Sequence, residues 1–422
     1  MVDNLRCYQG TDSRLHTEVG EVQGCSMRST GKSGFLLFGP YESFGPGDYL
    51  VAIRFNSNNC NENCFVDISC DTGRTQLYIR NLHQYQKGSW NEMLAFSISE
   101  RKDIEVRVWV DDDADLGVEH VEVRNINHTY ANNFAVVCKS YHKDVEWAVL
   151  LYSSWIKYSS RQCPFYLIIP KSDYFLFSQR FECLPKEACN NLTLIAEEDV
   201  LQVAHINLPI NYDGWRAQQI IKLCFSKTNF SKHYLTLDSA MLFTKKFDFF
   251  DLYSDDKVLC TAAKYAKKID VYKFLNDVSE VGWLNNKLVN LSQSFEAISD
   301  FFDNVSEDTH WYIGGNGFFD SDLCKELEDF AYHKGVDGFF GIIEYAPYEF
   351  FWYGEYVFTK QRDKFRPKGP ELMATCQSIT SLNDIKIGAL TVPENLYGFL
   401  FQPPASDFVE LVEAILNERG LI

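Results

Sequence analysis

The run Tyr234-Leu235-Thr236-Leu237-Asp238-Ser239-Ala240 is an apolar strand that ends in a carboxylate. A carboxylate at such a strand end can hold a divalent cation, and that ion neutralises a diphosphate and stabilises its departure. The plainer reading is an Asp that caps the following turn. Just upstream, Gly214 to Leu223 reads as a helix. On it Arg216, Gln219 and Lys222 follow one another at three-residue steps, so their polar groups lie near one side. Arg and Lys suit phosphate, and Gln suits a hydroxyl or an amide. A solvated helix face explains the same spacing without any ligand.

Trp311 to Phe319 reads as a loop in which Gly314, Gly315 and Gly317 let backbone approach a ligand and Asn316 offers both a donor and an acceptor. A structural turn serves as well. It is not a dinucleotide loop, because Asp320 stands where the last glycine would fall. The aromatic run Tyr345, Tyr348, Phe350, Phe351, Trp352, Tyr353, Tyr356 is read as core for the most part, with Trp352 and Tyr353 the foremost candidates for stacking on a sugar ring. His142, His205, His310 and His333 have no metal-ligand spacing. Cys60, Cys64 and Cys70 are the densest cysteine cluster, but they lack tight Cys-x-x-Cys pairs and a fourth ligand. They fit the free thiols of a reducing cytosol. No Gly-x-Ser-x-Gly elbow or zinc-protease signature occurs, so hydrolase templates find no support.

These residues need elements to hold them. Residues 1 to 127 carry short alternating runs, among them Asp48 to Phe55, Thr75 to Ile79, Met93 to Ile98, Ile104 to Val110 and Val118 to Val123. Gly, Pro, Asn and Asp clusters separate the runs, which is the pattern of an antiparallel sandwich. From Phe134 the texture changes to strand and helix in alternation. Phe134 to Cys138, Pro164 to Pro170, Leu192 to Ile195 and Tyr234 to Leu237 read as strands. Asp144 to Tyr158, Ser172 to Phe181 and Trp215 to Phe225 read as helices. That alternation predicts an α/β domain with a mostly parallel sheet, whose ligands sit at the carboxyl ends of the strands. Residues 270 to 335 read as largely helical, and Asp322 to His333 and Ser406 to Arg419 are amphipathic helices.

The 422 residues suggest two or three domains. Forty basic against 58 acidic residues give a net charge of −18, which makes nucleic acid and anionic lipid poor partners. No window approaches a transmembrane segment and the N-terminus does not read as a signal peptide, so the expected location is cytoplasmic. The Asn-x-Ser/Thr triplets at Asn127, Asn191, Asn229, Asn290 and Asn304 are then chance matches.

Taken together, Lys139-Ser140-Tyr141-His142-Lys143-Asp144 after the first α/β strand, Leu167-Ile168-Ile169-Pro170, Gly214-Trp215-Arg216-Ala217-Gln218-Gln219, Leu237-Asp238-Ser239 and Glu349-Phe350-Phe351-Trp352-Tyr353-Gly354 resemble GT-A-type glycosyltransferases. The resemblance points to a bacterial polysaccharide-associated family catalogued as a domain of unknown function, over about residues 134 to 360. It implies a GT-A-like, Rossmann-like domain at 128–422, preceded by the sandwich at 1–127 as a carbohydrate-binding or assembly module. It implies transfer of a sugar from a nucleotide-diphosphate donor to a glycan hydroxyl, in surface polysaccharide or glycan synthesis. Ser140, Tyr141 and Asp144 would hold the nucleoside, with Arg216, Gln219, Lys222 and Asn316 lining the donor pocket. Asp238 would face the diphosphate and a divalent cation, Mn or Mg. Glu349 would be the base that an inverting transfer requires, with Glu344 its rival. Structural carboxylates are the other reading of both.

One departure stands out. The family pattern Asp-x-Asp would place Asp at 240, where this chain has Ala240. Three accounts remain open: metal held by Asp238 alone, no metal with Arg216, Lys222 or another cation in its place, or an inactive chain. The alternative function is therefore a non-catalytic carbohydrate-binding protein with a degenerate GT-A fold. A homo-oligomer stays open.

Overall fold

The computed structural model describes residues 5–82, 88–126, 130–160, 163–181, 184, 191–247, 258–261, 265–268, 291–310, 312, 316–363, 365–368, 373–376, 384–386, 391–392, 397–401, 409–418 and 420. Contacts divide the chain into two units. The first comprises Met1–Asn133, Tyr166–Asn207 and Lys227–Ser231; the second comprises Phe134–Phe165, Leu208–Ser226 and Lys232–Ile422.

The first unit opens with β1 (Leu5–Gln9), β2 (Gly20–Gln23), β3 (Ser26–Ser29), β4 (Gly34–Phe44), β5 (Gly47–Asn59), β6 (Phe65–Cys70), β7 (Thr75–Asn81), β8 (Gly88–Ile98), β9 (Lys102–Val110) and β10 (Asp115–Asn125). One sheet runs β2-β3-β10-β5-β8, with β1 also on β10, and the other runs β4-β9-β6-β7. Every pairing is antiparallel. On β9, Ile104, Val106, Val108 and Val110 are all buried, which is the period of two that a half-covered strand imposes. The expected sandwich strands are present, and β1 to β3 are additional.

The α/β alternation follows: β11 (Asn132–Lys139), α1 (Val145–Tyr158), β12 (Phe165–Ile169), α2 (Tyr174–Phe181), β13 (Leu192–Ala196), α3 (Glu197–Val203), α4 (Gly214–Cys224), β14 (Ser231–Asp238) and β15 (Met241–Phe243). Next come β16 (Val258–Thr261), β17 (Tyr265–Lys267), α5 (Leu291–Phe301), β18 (Asp308–His310), β19 (Asn316–Asp320), α6 (Ser321–His333), α7 (Gly338–Tyr345) and α8 (Glu349–Lys360). The described elements end with β20 (Phe365–Lys368), β21 (Met373–Cys376), β22 (Gly398–Phe401) and α9 (Val409–Glu418).

The first unit retains α2, β13 and α3 because they are anchored on β8. Tyr174 OH donates to Asn91 O at 3.3 Å and Leu194 O at 2.8 Å. Arg80 donates to both Glu92 and Asp199, and Lys171 Nζ lies 2.8 Å from Asp199 Oδ1. Both carboxylates are fully buried, and such groups persist inside a protein only when paired.

In the second unit β11, β14 and β19 are neighbours in that order. β19 runs antiparallel to β14, with Leu237 opposite Asn316 and His233 opposite Asp320. The expected loop Trp311 to Phe319 is thus corrected: from Asn316 onward it is a fully buried strand. Phe318 and Phe319 favour the pleated, covered surface. Gly317 is needed because a Cβ there would stand 2.2 Å from the Phe350 ring. Residues 311 and 313–315 lie outside the described residues, as does all of 270–290 within the stretch 270–335 expected to be largely helical. The carboxyl edge is flanked by a small sheet, β15-β22-β21. Trp147 of α1 packs with Leu242, Phe399, Phe401 and the α9 residues Val412, Ile415 and Leu416.

Candidate functional site

α4 positions the site. Asp213 caps its start by accepting the backbone N–H of Arg216 at 3.0 Å. Its far end is buried, including Gln219 and Lys222. The solvated-face reading therefore fails for these two residues. Lys222 Nζ donates to Asp238 Oδ1 at 3.1 Å and to Glu349 Oε1 at 3.0 Å. The Phe350 ring lies on a further side, 5.1 Å from Nζ. Burial opposes the charge on Lys222, but the Asp238 and Glu349 carboxylates outweigh it and hold the ammonium above its ordinary value.

The two carboxylates differ in access. The Asp238 side chain is 40% exposed and that of Glu349 is 5% exposed. Glu349, expected as the base, is thus enclosed against Lys222 at the start of α8. Asp144, just after β11, accepts a 3.3 Å hydrogen bond from Ser239 Oγ. Burial pushes the Asp144 carboxyl up, Ser239 pulls it back, and the charge of Asp238 raises it further. Cys138, near the end of β11, is fully buried, and burial followed by the Asp238 charge raises its thiol. Ser140 is buried, and its hydroxyl oxygen has no partner among the described residues. Tyr141 is exposed beside the His142 ring, with centroids 5.4 Å apart.

A second group forms at the other end of α4. Arg216 donates to Ile343 O at 3.2 Å and to Glu344 Oε1 at 3.4 Å, and Tyr212 OH also donates to Glu344. The Glu344 side chain is 44% exposed. Six residues of helix separate Arg216 from Lys222, which is about 9 Å along the axis. The three polar residues expected on one side of α4 accordingly serve different surroundings. Gln219 donates from Nε2 to Trp215 O, and its buried Oε1 has no partner among the described residues. Asn316 is buried within β19.

Trp352 and Tyr353 are corrected as ligand contacts. Trp352 is fully buried and its Nε1 donates to Ala346 O at 2.7 Å; Tyr353 OH accepts the backbone N–H of Asp320 at 2.9 Å. Both are core. Sequence reasoning did not single out Phe350, Tyr212 or Tyr348. Tyr348 OH is buried and has no partner among the described residues, and burial followed by the Glu349 charge raises it. Phe350 and Tyr348 flank Glu349 in sequence, which was the available signal.

Ala240 packs against the apolar cluster of Trp147, Leu242 and Phe401. Asp238 Oδ1 already receives an ammonium. Among the described residues, the clusters of three side chains able to ligate one ion are Cys7, His120 and Glu122, and Asp111, Asp112 and Asp113. Both belong to the sandwich strands and their turns. Among the described residues, those at the end of β14 do not supply the ligand set of a divalent cation.

Residues 134–283 match the model of a family described as "Family of unknown function (DUF6492)". The resemblance to a family catalogued as of unknown function therefore stands over that stretch. No curated protein sequence matches the chain. Among solved structures, the C-terminal CBM6 of the marine laminarinase LamC from Zobellia galactanivorans is 11% identical with TM-score 0.22, covering 29% of this chain and all of that one. The WbbM bifunctional glycosyltransferase is 14% identical with TM-score 0.38, covering 60% of this chain and 41% of that one. The galactosyltransferase LgtC, in complex with donor and acceptor sugar analogues, is 10% identical with TM-score 0.39, covering 68% of this chain and all of that one. No described helix is long and apolar enough to cross a membrane.

Proposed function

We propose that the chain is a cytoplasmic glycosyltransferase that moves a sugar from a nucleotide-diphosphate donor to a glycan hydroxyl. The observation that carries this reading is Asp238, a part-exposed carboxylate ending β14 and fixed from behind by the buried Lys222. A pre-positioned carboxylate at the carboxyl edge of an α/β unit is suited to orient a polyhydroxylated ligand. Ser140 and Asp144 follow the neighbouring strand β11, where the motif resemblance puts the nucleoside.

In the transfer, the acceptor oxygen bonds to the anomeric carbon as the bond from that carbon to the diphosphate oxygen breaks. The diphosphate leaves with the electron pair, and a base takes the hydroxyl proton. Glu344 is the better candidate for that base, because it faces solvent while Glu349 is enclosed. Arg216 and Tyr212 hold its carboxylate in place. The sandwich is proposed to bind the acceptor glycan.

The test is a panel of nucleotide sugars screened for thermal stabilisation and for hydrolysis or transfer by the full chain. A bound donor raises Tm by mass action. Stabilisation by one donor with release of its nucleoside diphosphate supports the reading, and loss of release in Glu344→Gln with binding retained supports the assigned base. A chain unmoved by every donor overturns the reading. The enclosure of Glu349 also favours a second reading, a carbohydrate-binding protein without transfer activity. Glycan binding with no response to any nucleotide sugar would establish that one.

A further inference from the structure

Ala240 looks in the sequence like a lost metal ligand, but its surroundings say otherwise. Its side chain packs with the partly buried Leu150 and Val409 around Trp147, Leu242 and Phe401, and its carbonyl accepts the Phe401 N–H at 2.9 Å. A carboxylate there would be set against apolar side chains. In this arrangement position 240 is part of that apolar packing.

The positive charge beside Asp238 comes from within the chain. Lys222 Nζ is held between Asp238 Oδ1 and Glu349 Oε1, with Phe350 on a further side. These partners leave the ammonium little freedom to swing aside for an incoming ion, and an ammonium has three N–H donors to place. With Oδ1 so engaged, Oδ2 is the oxygen left for a ligand.

We infer that Asp238 is a metal-independent acceptor of ring hydroxyls from the bound sugar nucleotide, and that Lys222 is the positioning residue that orients its carboxylate. This rests on the sugar-transfer reading proposed above and names what Asp238 recognises within it. A carboxylate fixed by an ammonium accepts hydroxyl hydrogen bonds in a defined direction, and such charge-assisted bonds are about twice as strong as neutral ones.

The test uses the full chain in calorimetry and thermal-shift assays. The probes are MnCl2 alone, then UDP-glucose, UDP-galactose, GDP-mannose and dTDP-glucose, each in EDTA and in excess Mn²⁺. The expected result is no saturable binding of Mn²⁺ alone. One sugar nucleotide should bind with equal affinity in EDTA and in Mn²⁺, and Asp238→Ala should weaken it by about tenfold or more. Asp238→Asn, which keeps an acceptor oxygen, should weaken it less. Ala240→Asp should create no Mn²⁺ site. A one-site Mn²⁺ isotherm abolished by Asp238→Ala, or sugar-nucleotide binding that appears only with Mn²⁺, overturns the inference and leaves the sugar-transfer reading intact. Absence of binding by every probe in both buffers overturns both. The wild-type measurement decides the matter even where a variant fails to fold.

Discussion

Ser239 Oγ donates a 3.3 Å hydrogen bond to Asp144 Oδ2, so the residue after β14 is tied to the turn after β11. Asp144 is mostly enclosed, and burial raises its carboxyl above the ordinary value of 3.8. The folded state therefore holds the Asp144 proton more tightly than the unfolded chain does. Its ionisation costs stability as pH rises through the raised value, and the cost vanishes below the ordinary one. Asp144→Asn should then raise the unfolding free energy at pH 7. The gain should fade as pH drops below 4. Thermal unfolding of the two proteins across pH 3.5 to 8 checks this, and an equal difference at every pH would refute it.

Lys222 bonds both Asp238 and Glu349, and removing it leaves Glu349 buried without that ammonium. Lys222→Met should cost about 3–5 kcal/mol in urea unfolding, the range for breaking one side of a buried pair. Adding Glu349→Leu to Lys222→Met should recover much of that loss, because no charge then stays enclosed. A double variant as unstable as the sum of the single ones would show that the pair is not coupled.

Much of the fold was legible in the sequence because burial wrote itself into local periods. The alternation from Asp48 to Phe55 and from Ile104 to Val110 follows directly from one covered face, and both are strands. β2 and β3 are short and polar, with Ser26, Arg28 and Ser29 among their eight residues, so no alternation betrayed them. The loop expected over Trp311 to Phe319 rests on Gly314, Gly315 and Gly317, yet Asn316–Asp320 is a strand. The space above Gly317 is filled by Phe350, from a helix that local sequence cannot bring near it. The site was half legible for the same reason. Asp238 at a strand end is a local signal. The burial of Lys222 depends on Glu349, 127 residues away, and a lysine on a polar helix step gives no hint of it.

Gly317→Ala tests that close approach. The added Cβ would meet Phe350 Cε1 at 2.2 Å, and the strand is buried on all five residues. Overpacking of this kind should cost about 1–3 kcal/mol. Phe350→Leu in the same chain should relieve the clash and leave the double variant more stable than Gly317→Ala alone. Midpoints of thermal unfolding decide it; a Gly317→Ala chain as stable as wild type would mean that the strand and α8 separate readily.

The charge cluster of the first unit gives the last test. Arg80 donates to Glu92, Asp199, the Gln202 side chain and the Met93 carbonyl, and its guanidinium lies 5.5 Å from the Tyr78 ring centre. Burial and then the charge of Asp199 raise the Glu92 carboxyl, while Lys171 and Arg80 pull it back. Arg80→Met leaves two buried carboxylates to Lys171 alone and should cost about 3–5 kcal/mol. Glu92→Gln should cost far less, because it removes one buried negative charge and leaves Asp199 both cations. The anchoring role makes a further distinction. Arg80 of β7 bonds α3 residues, so Arg80→Met should expose amides of α3 and β13 to hydrogen exchange before those of β9. Uniform loss of protection across all of these elements would show that the cluster stabilises the whole unit and does not specifically anchor that segment.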